Sequence, residues 1–130
     1  MRTPTRKTVP YGYELVLDLH ECSPETFNRT SLRRYFARLC KAIDMKREEL
    51  HFWDDYGVPE AKKQSEPHTK GTSAVQFILT STIVVHTLDL MKAVYVNIFS
   101  CKPFDPKVAE RITREWFCAK SCRSHFIERV

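Results

Sequence analysis

Between Tyr13 and His20, Leu15, Leu17 and Leu19 alternate with Glu14, Val16 and Asp18, the period-two pattern of a strand with one buried face. After Ser23-Pro24 the period changes. Leu32, Tyr35, Phe36, Leu39, Cys40 and Ile43 recur at helical spacing, which predicts a helix capped at Thr30 or Ser31, with an apolar stripe wide enough to lie on a sheet. Leu50 to Trp53 reads as a short strand closed by the turn-forming run Asp54-Asp55-Tyr56-Gly57-Val58-Pro59. The stretch from Glu60 to Lys70 is charged, interrupted by Pro67 and without period, and reads as an exposed loop.

The longest apolar block runs from Ser73 to Cys101. Ser73 to Leu79 and Thr82 to Val85 predict strands separated by Thr80-Ser81, and Ala93 to Phe99 predicts another. Asp105-Pro106 pairs a capping residue with a proline at the first helical position, and Val108, Ala109, Ile112 and Trp116 give a second helix its apolar stripe. A last strand covers about Ser124 to Arg129, and a polar arm runs from the start to about Pro10. The expected fold class is α+β: a two-layer sandwich, its sheet largely antiparallel, with two main helices on one face. The chain reads as a single domain, residues 1–130.

A chain of 130 residues buries roughly two thirds of its unfolded surface, enough for one core. No apolar run reaches the roughly 20 residues of a membrane span, and the basic start lacks the apolar segment of a secretion signal, so a cytoplasmic protein is expected. Five cysteines, Cys22, Cys40, Cys101, Cys118 and Cys122, then read as reduced thiols. Cys118 and Cys122 with His125 lack a second Cys/His pair, so no metal is expected. The net charge of +5 is dispersed. Its densest cluster, Arg33, Arg34, Arg38 and Lys41, falls on the solvent side of the first helix, so nucleic acid is not an expected partner.

The polar residues that interrupt the apolar block are nucleophiles and proton carriers: Ser73, Thr80, Ser81, His86 and Cys101. Taken singly, each serine reads as a backbone hydrogen-bonder, Cys101 as a small buried hydrophobe and His86 as a core or edge residue. Their joint spacing says more. Ser81 lies eight residues after Ser73, His86 five after Ser81 and Cys101 twenty after Ser81. Ser81 and His86 have opposite strand parity, so Ser81 is expected at a bend or bulge ahead of the strand.

With Y-G-Y-E-L-V-L-D-L-H-E-C at 11–22, G-T-S-A-V at 71–75, T-S-T-I-V-V-H-T at 80–87 and V-N-I-F-S-C at 96–101, the chain resembles the prokaryotic S-adenosylmethionine decarboxylase proenzymes over nearly its whole length. The resemblance implies self-cleavage between Thr80 and Ser81 into a β chain (1–80) and an α chain (81–130), with Ser81 becoming an N-terminal pyruvoyl group. That group is the cofactor, forming a Schiff base with the substrate amine and drawing electrons as carbon dioxide leaves. By the same resemblance Ser73 and His86 assist the cut, Cys101 protonates the decarboxylated carbanion, and the protein is a homodimer of cleaved protomers in spermidine synthesis. Three positions depart from the family pattern: Thr80 stands for Glu, Thr82 for His, and Leu90 for an acid that holds substrate, with Asp89 one residue away. The alternatives are a pyruvoyl decarboxylase of arginine or ornithine and a processing-dead homologue that acts as a binding or regulatory subunit.

Overall fold

Leu15, Leu17 and Leu19 are fully buried. The strand that carries them, β1 (Gly12–His20), lies inside the sheet of a computed structural model that describes residues 9–130. The expected arm is mostly within residues 1–8, outside the described residues. Following β1 come α1 (Arg29–Ala42), β2 (Arg47–Trp53), β3 (Gly71–Ile78), β4 (Ser81–Leu88), β5 (Ala93–Ser100), α2 (Pro106–Phe117) and β6 (Ser121–Arg129). The six strands form one sheet in the order β2-β3-β4-β5-β1-β6, every neighbouring pair antiparallel.

Both helices cover the face that presents Leu15, Leu17, Leu19, Ile83, Val85, Val96 and Ile98, and these join the helix stripes in one core. Helix meets helix through polar as well as apolar groups. Tyr35 and Thr113 share a buried hydrogen bond of 2.7 Å, Trp116 Nε1 donates to Ser31 Oγ at 3.0 Å, and the rings of Tyr35 and Phe117 lie 5.0 Å apart. The predicted α+β two-layer sandwich is therefore observed, and the cationic residues Arg33, Arg34, Arg38 and Lys41 are exposed as expected.

Several local expectations are corrected. The cap of α1 is Asn28, whose side chain accepts from the Ser31 amide at 2.9 Å, rather than Thr30 or Ser31. β2 begins at Arg47 instead of Leu50 and β6 at Ser121 instead of Ser124, because both are lengthened by backbone pairing that the side-chain pattern does not display. The turn between β3 and β4 is Leu79-Thr80, and Ser81 already belongs to β4, paired with Ile78. No bulge precedes His86 in this register.

β1 approaches β5 closely at Gly12. A Cβ there would stand 2.2 Å from the Ser100 carbonyl oxygen and 2.9 Å from the Cys101 Cα, both backbone atoms with little room to yield. Gly12→Ala is expected to destabilise the fold by about 1–3 kcal/mol, read as a lower urea midpoint; an unchanged midpoint would show that the strands separate freely.

Candidate active site

The hairpin that joins β3 to β4 gathers three of the five sequence candidates. Ser81 is 5% exposed, and its Oγ accepts a hydrogen bond from the Cys101 amide at 3.1 Å and lies 3.8 Å from the Cys101 thiol. Thr80 Oγ1 lies 3.2 Å from the same sulfur and donates to the Leu79 carbonyl at 2.8 Å. Thr80 has φ of +52°, in the left-handed region. Antiparallel pairing of β4 with β5 brings the two segments together: Thr82 pairs with Phe99, so one step outward Ser81 comes level with Ser100 and the next step sets Thr80 level with Cys101.

The hydroxyls of Thr80 and then Ser81 hold the Cys101 thiol below its ordinary pKa. Burial does the reverse elsewhere, pushing Cys22, Cys40 and Cys122 up to about 11. Of these four thiols, Cys101 is thus the one whose surroundings favour proton exchange.

Ser73 and His86 form a second cluster. They face each other across the β3–β4 pair, with Ser73 Oγ 2.7 Å from His86 Nδ1, on the sheet face that the helices leave open. Along β4, His86 is roughly 16 Å from Ser81 at about 3.3 Å per residue, and the two side chains take opposite faces. A single chain therefore does not bring the five candidates to one point; it presents two clusters.

A cavity of about 320 Å³ opens beside the hairpin, lined by Met45, Ile78, Leu79 and Cys101. Its rim is closed by an ion pair in which Lys102 Nζ donates to both the Asp44 carbonyl and its carboxylate, each at 2.7 Å, and that ammonium holds the Asp44 carboxyl below the usual range. Sequence reasoning missed Asp44, Lys102 and Gly12. Lys102 was marked by its place next to Cys101 and Gly12 by a glycine at the head of a strand, whereas nothing near Asp44 in the sequence marks it.

A larger cavity, about 640 Å³, lies at the start of α1 and includes none of the five candidates. Asp89 turns into it, one carboxylate oxygen buried without a hydrogen-bond partner, and burial raises its pKa. Leu90 is 55% exposed at the β4–β5 turn. Cys122 and His125 take opposite faces of β6, paired with Leu19 and Val16. Among the described residues no group of three His, Cys, Asp or Glu side chains is arranged to hold a metal, and no helix is long and apolar enough to cross a membrane.

The family model for S-adenosylmethionine decarboxylase matches residues 13–130. Among solved structures, the chain is similar to the adenosylmethionine decarboxylase from Aquifex aeolicus, at 17% identity and a TM-score of 0.70 over 94% of this chain and 92% of that one. No curated protein matches it in sequence. A match from β1 to the last residue takes in both the hairpin cluster and the Ser73–His86 pair. The chain belongs to the S-adenosylmethionine decarboxylase family, and with it to the carboxy-lyases.

Proposed function

We propose that the chain cuts itself between Thr80 and Ser81 and then decarboxylates S-adenosylmethionine as a homodimer of cleaved protomers. The observation that carries this reading is the hairpin cluster: a buried serine hydroxyl adjacent to the bond to be cut, fixed by the amide of the residue whose thiol lies next to it. The Ser81 hydroxyl attacks the Thr80 carbonyl carbon. A C–O bond forms, the C–N bond breaks, and the hydroxyl proton ends on the freed amine, leaving an ester. Loss of the α-proton of residue 81 then expels Thr80 as a carboxylate, and one water releases ammonia to leave the pyruvoyl group.

The residues present fit that group. Its site would be the start of β4, where the Cys101 amide points at the position of Ser81 Oγ and the cavity of about 320 Å³ leaves room beside it. When formed, the group supplies an electron sink for the departing carbon dioxide. Cys101 holds the proton that the substrate carbon takes up, and the Asp44–Lys102 pair closes one side of the cavity.

The α-proton needs a base, and His86 of the same chain faces away. The open sheet face carries Val16, Val75, Val84, Tyr95 and Phe99 around the Ser73–His86 pair, an apolar surface suited to a second copy. A dimer formed through this face would cover the Ser73–His86 pair. One departure favours a second reading: the exposed Leu90 and the turned-away Asp89 leave no acid where the family pattern has one, which fits arginine or ornithine as substrate.

The deciding measurement is the denatured mass of freshly expressed protein, with carbon dioxide release from S-adenosylmethionine, arginine and ornithine. Two fragments, 1–80 and a blocked 81–130, that together form a native dimer are expected. A persistent 15.3 kDa chain would instead leave the binding or regulatory role.

A further inference from the structure

Five non-glycine residues in the described chain have positive φ: Glu21, Asp44, Thr80, Lys92 and Cys118. Thr80 is the β-branched one, the side-chain type that tolerates the left-handed region least. It is also the residue whose carbonyl would be attacked. Pairing of Ile78 with Ser81 leaves Leu79 and Thr80 as a two-residue turn, too short to redistribute the rotation.

Both sides of the Thr80–Ser81 bond are tied to Cys101. Thr80 Oγ1 lies against its sulfur at 3.2 Å, and Ser81 Oγ accepts from its amide at 3.1 Å. The turn is therefore held in its left-handed form from two directions. Attack by Ser81 Oγ puts the Cβ and Oγ of residue 81 into the main chain between the Thr80 carbonyl and the next Cα. The loop lengthens and Thr80 is free to return to negative φ.

We propose that Thr80 is a positioning residue whose left-handed conformation strains the precursor and accelerates its self-cleavage. The inference rests on the self-processing reading and gives the threonine at this position a role of its own. The step itself is balanced within the chain: the Thr80 C–Ser81 Oγ bond forms, the peptide C–N bond breaks, and the proton passes from oxygen to nitrogen.

The test compares Thr80→Val, Thr80→Asn and Thr80→Gly with the parent chain, following loss of the precursor by denaturing mass spectrometry during cell-free synthesis. Valine keeps the β-branch without the hydroxyl and should cleave within about threefold of threonine. Asparagine and glycine accept positive φ and should cleave about tenfold more slowly, equivalent to ~1.4 kcal/mol of released strain. Asparagine or glycine cleaving as fast as valine would overturn the proposal; valine as slow as glycine would also do so, by assigning the effect to the hydroxyl. In the uncleavable Ser81→Ala chain, Thr80→Asn should raise the urea midpoint and Thr80→Val should not. Equal midpoints for threonine and asparagine count against strain even if the parent chain never cleaves, an outcome that separately sinks the self-processing reading.

Discussion

Replacing Ser81 by alanine should leave a single uncut chain without decarboxylase activity. In the proposed reaction the hydroxyl removed would be both the nucleophile and the source of the carbonyl group, so nothing would substitute for it and the loss should be complete. The change also strips the Cys101 amide of its acceptor in a nearly closed site, worth about 1–3 kcal/mol of stability. Folding should therefore be checked by circular dichroism alongside the mass. Fragments ending at residue 80 would rule Ser81 out as nucleophile. Fragments ending at residue 79 would identify Thr80, whose own hydroxyl lies 2.8 Å from the Leu79 carbonyl oxygen, as a competing one.

Cys101→Ala should separate the two activities, retaining cleavage while lowering carbon dioxide release per cleaved protomer by roughly 10²–10⁴-fold, the usual contribution of a placed proton donor. The two hydroxyls that lower the Cys101 pKa belong to Thr80 and Ser81, the residues that the proposed processing would alter. Under the proposed cut, Ser81 would lose its hydroxyl outright and Thr80 would become a chain end. The thiol of the cleaved enzyme should then titrate higher than that of the precursor, and so stay protonated, ready to donate, over a wider span of pH. Alkylation of Cys101 against pH, in precursor and cleaved protein, reads this directly. Unchanged turnover in the alanine variant would remove Cys101 from the donor role.

Much of the fold was written in local alternation. β1 shows it plainly, since Leu15, Leu17 and Leu19 all point one way into the core. The α1 stripe is equally direct, but its start is not: Asn28, Thr30 and Ser31 are all competent caps within one turn, and backbone geometry selects the first. The hairpin misled for a different reason. Leu79 is 73% exposed at a turn tip, an apolar residue where hydropathy predicts strand, so the turn begins one residue earlier than the apolar pattern implies. That single step hides the register that sets Ser73 against His86. Parity correctly separated Ser81 from His86, and the expected bulge was the wrong remedy.

The strand order makes the proposed cut unusual in its effect on the molecule. Residues 1–80 hold β1, β2 and β3, and residues 81–130 hold β4, β5 and β6, yet in the sheet β1 lies between β5 and β6 while β3 is bonded to β4. Three of the five strand seams would join the two pieces, and β1 would be gripped on both edges by the other polypeptide. The halves are interleaved like the fingers of two hands. Severing the chain would not release them, since parting would mean pulling a central strand out of the sheet. The pieces should therefore co-purify until denatured, the cut should come only after the sheet has closed, and neither half expressed alone should hold a complete core.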